Sequence, residues 1–294
     1  MVLKNFVAYL RERFPPVNMM LFAILFLTVY SISRLSPEGH SLDIGRWVGV
    51  LAVISFFFRL RVFDEIKDYE LDALNHPQRV LQSGRVTLRQ LKAVALVGTA
   101  VELVWSVGMG SGVLVAWLTA VGYSLLMRYE FFVGDWLRKR LLIYAISHML
   151  VMPLIIAWVW LAFRDTFSSS FFLLAALSLL AGFSFEIARK IHTPAAERAT
   201  VDSYSKAVGY RFAIGLVLVL LLAGTAVQWQ LLRDVSARSW AFVVLSASYL
   251  PTLVMYLQNL ISPHENTLRK AELGVSLFML ISYISIIVEA NVKL

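Results

Sequence analysis

The sequence predicts an all-α, polytopic membrane protein, and three observations predict it. Hydrophobic residues make up 59% of the 294 positions and mean hydropathy is +0.71, whereas soluble chains are about 45–50% apolar. Nine apolar stretches recur along the chain, each close to the roughly 20 residues that a bilayer core requires. Lys and Arg then fall almost entirely on alternate connections: of 27, only Arg34, Arg46, Arg164, Arg233, Arg238 and Lys293 lie on the other side. A wrong span count would scramble that asymmetry, which places the N-terminus and the even-numbered connections in the cytoplasm. The expectation is one integral-membrane unit over residues 1–294, set in the inner or plasma membrane.

Residues 1–14 are short, mildly amphipathic and basic, with Lys4, Arg11 and Arg13, and Pro15-Pro16 separate them from the first long apolar stretch. They read as an interfacial helix. A signal peptide is disfavoured because that apolar stretch is long enough to span and no small-residue cleavage site stands after it. The spans are expected at 17–35, 44–62, 90–109, 111–128, 139–163, 170–188, 207–228, 239–261 and 270–290. Pro153 and Pro251 should kink the fifth and eighth, because proline lacks the backbone donor and crowds the preceding turn. The net charge of +8 does not point to nucleic acid, since the basic residues sit in short loops between apolar spans. With no cysteine in the sequence, disulfides, thiolate catalysis and Cys-ligated zinc are excluded.

The long connection after the second span carries the chemistry. Asp64, Asp68 and Asp72 recur every fourth residue, with Glu65 and Glu70 beside them. In a helix such positions share one drifting face at about 6 Å intervals along the axis. Carboxylates so placed repel one another unless a cation lies between them, and Mg²⁺ is a hard, oxygen-seeking candidate. The plain alternative is a solvated helix face whose acids pair at i,i+4 with Lys67 and neighbouring arginines. Asn75-His76-Pro77, Arg79 and Ser83-Gly84-Arg85 then form a basic loop, and donors of that kind suit phosphate oxygens. An acid stripe leading into a basic loop suggests a diphosphate held with Mg²⁺.

The run DEIKDYELDALNHPQRVLQSGRV resembles the first signature of the UbiA superfamily of intramembrane prenyltransferases, NDxxDxxxD and then a segment like NHPxRPxxSGRV. The resemblance puts Asp64 at the signature's Asn, Glu65 at its first Asp, and Asp68 and Asp72 at the other two, while Val80 stands where the family usually has Pro. It implies a nine-helix UbiA-type bundle with cytoplasmic cap loops. A second acidic signature is expected after the sixth span, where Glu186 precedes Arg189 and Lys190, and where Val201-Asp202-Ser203-Tyr204 up to Gly209 resembles the closing segment. Its acids are eroded, with His192 or Thr193 where a later Asp belongs, so Arg189 or Lys190 is expected to supply charge that a second metal ion would supply.

Under this resemblance Asp64, Asp68, Asp72 and Glu186 are the catalytic and metal-holding set. Lys67, Arg79, Arg85, Arg128, Arg189 and Lys190 are the diphosphate-binding set. Tyr123, Glu102 and Asn259 are candidate contacts to an acceptor or a cation, although Glu102, like His148, could equally be a polar lock between helices, and helix glue suits Asn259 better. The implied activity is Mg²⁺-dependent ionisation of an isoprenoid diphosphate and transfer of the prenyl group to an aromatic or lipid-like hydrophobic acceptor. A UbiA-type terpene cyclase would use the same ionisation. An ion-coupled transporter would need acids at the midplane on broken helices, whereas these cluster at one membrane face. The implied partners are the diphosphate, the acceptor and the bilayer; no obligate protein partner is inferred.

Overall fold

The computed structural model describes residues 2–35, 43–198 and 202–292; Val201 and Lys293, two positions singled out from the sequence, lie outside them. Among the described residues there are fourteen α-helices and no strand. In chain order they begin with α1 (Leu3–Arg13), α2 (Pro16–Ser33), α3 (Asp43–Lys67), α4 (Tyr69–Asn75), α5 (Leu88–Met109), α6 (Ser111–Arg128) and α7 (Gly134–Arg138). The chain continues with α8 (Leu141–Met149), α9 (Val151–Leu161), α10 (Ser169–Ala188), α11 (Tyr204–Val208), α12 (Tyr210–Asp234), α13 (Ser239–Ile261) and α14 (Glu265–Asn291).

Local chemistry sets several of these boundaries. Pro16 opens α2 at N1, where its missing N–H costs nothing. Thr87 and Gln90 cap α5 reciprocally, which satisfies two orphan donors at its start. The expected kink of the fifth span is a full break: α8 ends at Met149 and α9 starts at Val151. Pro153 cannot donate to the Met149 carbonyl and its ring crowds that group. Pro251, by contrast, lies within a continuous α13.

Among the described residues, eight stretches are long and apolar enough to cross a membrane, with α8 and α9 counted together as Leu141–Leu161. The ninth expected span, α3, is too charged to qualify by composition, but its 25 residues extend about 37 Å at 1.5 Å per residue. It sits in the wall of the bundle. Taking α8–α9 as one span, the long helices close a ring in chain order, α2–α3–α5–α6–α9–α10–α12–α13–α14, and α14 packs back on α2. The short α4, α7 and α11 lie in the connections on the side where α3, α6 and α10 end.

Small and polar residues hold the ring together, as expected where lipid removes most of the hydrophobic drive for helix association. Gly49 of α3 is one such site: a Cβ there would stand 2.6 Å from the Phe26 and Trp105 rings. Gly49→Val is therefore expected to cost about 1–3 kcal/mol by overpacking and to lower the unfolding midpoint. Thermal unfolding monitored by tryptophan fluorescence checks this; an unchanged midpoint would show that α2, α3 and α5 do not meet so closely. Deeper in, Glu102 of α5 is fully buried and takes Arg59 of α3 at 2.8 Å, Trp117 of α6 at 2.9 Å and Ser55 at 3.0 Å. One carboxylate thus joins three neighbouring helices.

Candidate active site

The expected stripe of three aspartates is broken where α3 ends. Asp68 comes just after Lys67 outside the helix, with φ −95° and ψ 6°, and serves as the N-cap position of α4. The acids fall into two groups that face different neighbours, Asp64 and Glu65 being adjacent residues of α3 that point about 100° apart. Asp64 and Asp68 open on a cleft. Glu65 and Asp72 turn toward α1 and the basic loop.

Glu65 is 1% exposed and accepts from Arg13 at 2.7 Å, from Arg61 at 2.8 Å and from the Tyr9 hydroxyl at 3.4 Å. Asp72 accepts from Arg79 at 2.6 Å and from Arg13 at 3.2 Å. Asp72, expected with Asp64 and Asp68, is paired with two guanidiniums here and does not line the cleft. Arg79, expected at the diphosphate, is committed to that pair and does not line the cleft. Arg85, expected beside it, lines a separate open groove of about 840 Å³ with Lys4, Val7 and Arg11 of α1. Helix α1 is thereby more than interfacial, since Tyr9 and Phe14 are buried and Arg13 grips two acids.

The cleft has a volume of about 500 Å³ and two chemically distinct ends. Its polar end gathers Asp64, Lys67, Asp68 and Arg128 against Glu186, Arg189 and Lys190 from the far side of the ring. Its apolar end is walled by Phe57, Leu60, Ala145, Met149, Val151 and Met152. Among the described residues Asp68 forms no ion pair, and Asp64 has only Arg61 at 4.0 Å. Burial against the cleft wall holds the Asp68 carboxyl above its ordinary range, against the pull of Lys67 and with help from Asp72 and Glu65. Among the described residues, no three acid or histidine side chains are already gathered to hold a metal.

Glu186 arrives at the end of α10 and is paired from its own chain, with Lys190 at 2.7 Å and Arg189 Nε at 2.7 Å. His192, at a position where the second signature would carry an acid, pairs instead with Glu265 at 3.3 Å. Lys67 is held by the Tyr144 hydroxyl at 2.8 Å, with Glu130 at 3.7 Å. Glu130 sits in a turn where residues 130, 131 and 132 all have left-handed φ, at 49°, 55° and 60°. Such a run of non-glycine residues is costly. Arg138, at 3.0 Å from Glu130, helps to hold it, and Gly134 is required because a Cβ there would run into the Glu130 carboxylate.

Tyr144 and His148 both line the cleft; spacing and motif did not single out the first, and the second was expected to be structural. Their signal was a polar pair four apart in an apolar span, which places both on one face. Their rings stack 4.0 Å apart, and His148 Nδ1 faces the Tyr144 carbonyl at 2.8 Å. A nitrogen facing a carbonyl carries the proton, which leaves Nε2 as the acceptor.

The three candidate acceptor contacts lie outside the cleft. Glu102 is the lock between α3, α5 and α6. The Tyr123 hydroxyl donates to the Ser147 carbonyl at 2.6 Å. Asn259 is buried, and its Oδ1 accepts from the His264 N–H at 3.0 Å and the Tyr210 hydroxyl at 3.3 Å.

Known proteins share this architecture. The UbiA prenyltransferase family model matches residues 24–281. No curated protein matches the chain by sequence. Among solved structures, a digeranylgeranylglyceryl phosphate synthase matches with a TM-score of 0.73 at 18% identity, over 99% of this chain and 100% of that one. A UbiA homologue from Aeropyrum pernix K1 matches with a TM-score of 0.67 at 18% identity, over 91% and 96%. A UbiA homologue from Archaeoglobus fulgidus, solved bound to GPP and Mg²⁺, matches with a TM-score of 0.59 at 13% identity, over 95% and 99%. At such identities these structures establish the fold.

Proposed function

We propose, from the fact that this chain belongs to the UbiA prenyltransferase family, that it ionises an isoprenoid diphosphate with Mg²⁺ and transfers the prenyl group to a hydrophobic acceptor. The observation that carries the reading is the cleft, in which two weakly paired carboxylates and five cations, Arg61 among them, meet at one end of an apolar slot. Asp64 and Asp68 fit Mg²⁺ by their chemistry: both offer hard oxygen donors, and neither is neutralised at short range within the protein. Two carboxylates plus substrate phosphate oxygens is a usual way to hold this ion.

Bound there, Mg²⁺ would offset the charge that develops on the leaving diphosphate. Lys67, Arg128, Arg189 and Lys190 bind and orient the diphosphate and take up the same charge from the other sides. Asp72 and Arg79 act one step removed, by fixing the loop that carries Asp68. Phe57, Leu60, Met149 and Met152 exclude water from the allylic cation, which would otherwise be quenched. The acceptor attacks the prenyl C1 as the diphosphate leaves and then loses a proton; His148, which lines the cleft, is the base assigned to take it. The distribution of Lys and Arg supports a cytoplasmic N-terminus and cleft mouth.

The test is incubation in bilayer nanodiscs with Mg²⁺ and GPP or dimethylallyl diphosphate, with and without phenolic and lipid-like acceptors. Pyrophosphate release is measured, and the organic extract is analysed by mass spectrometry. A prenylated adduct whose formation stops on chelation with EDTA is expected. A cyclic terpene formed without acceptor would replace transfer by cyclisation, and absence of any Mg²⁺-dependent diphosphate binding would overturn the reading.

Glu186→Gln is expected to lower turnover by about tenfold at most, well short of the loss of a primary charged group. Its partners Arg189 and Lys190 remain, and the substitution frees them for the diphosphate. Steady-state rates at saturating Mg²⁺ check this; a loss as severe as that of Asp68→Asn would make Glu186 a metal ligand.

A further inference from the structure

A second crevice of about 260 Å³ lies on the outer side of α3, between it, α5 and the end of α6. Its walls are apolar, from Val62 and Ile66 on α3 and Ala95 and Leu96 on α5. Three cations converge on it: Arg59, Lys92 and Arg128. Arg59 is 5% exposed and gives Nη2 to Glu102, but its Nε is buried with no hydrogen-bond partner. A buried orphan donor is costly and asks for an acceptor. Arg128 is stacked over the Phe63 and Tyr129 rings, and neither it nor Lys92 forms an ion pair among the described residues.

Glu102 neutralises Arg59, so the uncompensated positive charges at this apolar slot are those of Lys92 and Arg128. That combination fits a phosphate group attached to a hydrocarbon chain. The depth also fits. Lys92 stands in the second turn of α5 and Arg128 at the last residue of α6, the head-group level on the side of Asp64, while Leu96 is 71% exposed on the outer, lipid-facing surface. Free phosphate would have no use for the apolar walls.

We infer that this crevice is a binding site for an anionic phospholipid of the surrounding bilayer, its phosphate held by Lys92 and Arg128. The crevice is separate from the catalytic cleft but shares Phe63 and Arg128 with it, so on the proposed function Arg128 serves both phosphates. A lipid bound there would lie one side-chain layer from the diphosphate.

The experiment is native mass spectrometry of the full chain released from nanodiscs containing equal phosphatidylglycerol and phosphatidylcholine, compared with Lys92→Glu. Lys92 is exposed, so the variant should fold, and monodispersity on gel filtration checks that. The wild type is expected to retain one phosphatidylglycerol in preference to phosphatidylcholine, and Lys92→Glu to lose that retention about tenfold or more, since each basic residue at a head group contributes measurably. Millimolar inorganic phosphate should not displace the lipid; displacement would mean a free-phosphate site and overturn the lipid assignment. Equal retention by wild type and variant, or no preference between the two lipids, would also overturn it. None of these readouts depends on prenyl transfer.

Discussion

Asp68→Asn is expected to reduce Mg²⁺-dependent pyrophosphate release by about 10²–10³-fold, the range seen when one preorganised electrostatic group is removed from a catalytic site. The substitution keeps the shape of the side chain, so the fold should survive. It removes half of the formal charge that the cleft offers an ion, because Asp64 and Asp68 are the two acids there not held in close ion pairs. Asp72→Asn should behave differently. Its carboxylate is already shared between Arg13 and Arg79, so its loss loosens the loop without removing a ligand, and raised metal concentration should restore part of the rate. Titrating both variants with Mg²⁺ separates the two roles. An unaltered Mg²⁺ dependence in Asp68→Asn would remove Asp68 from the metal site.

The second large effect is expected at the centre of the bundle. Glu102→Leu leaves the Arg59 guanidinium buried without its counter-charge, and breaking such a pair on one side costs about 3–5 kcal/mol. Loss of the Trp117 and Ser55 hydrogen bonds adds to it. The protein should unfold at markedly lower temperature. Replacing both partners, Arg59→Met with Glu102→Leu, should recover much of that loss, because the second substitution removes the stranded charge. Unfolding midpoints of the two singles and the double decide the matter. If the double variant is as unstable as Glu102→Leu alone, the ion pair is not what holds α3, α5 and α6. If it is stable but inactive, Glu102 serves the chemistry as well.

Much of this architecture was legible in the chain because hydropathy and the placement of Lys and Arg are local signals. They gave the membrane spans and the two charged connections, while the acid spacing and the family resemblance picked out the residues that line the cleft: Asp64, Lys67, Asp68, Arg128, Glu186, Arg189 and Lys190. What local spacing does not carry is competition from distant partners. Asp72 shares its i,i+4 register with Asp64 and Asp68, yet Arg13, 59 residues away, and Arg79 draw it elsewhere. The same applies to Glu102, whose role depends on an arginine 43 residues earlier. The i,i+4 spacing to His148 marks the face on which Tyr144 lies, but not its hydrogen bond with Lys67 across 77 residues. Arg85 was misplaced because the loop turns it toward α1.

The grip of Arg13 on Glu65 and Asp72 also fixes the parity of membrane crossings. Guanidinium and carboxylates in contact must lie on one side of the bilayer, so the chain between them crosses an even number of times. Helix α2 crosses on its apolar composition alone. With α2 crossing, helix α3 must cross as well, so the contact 52 residues apart ties the second span to the first despite the charges at its end.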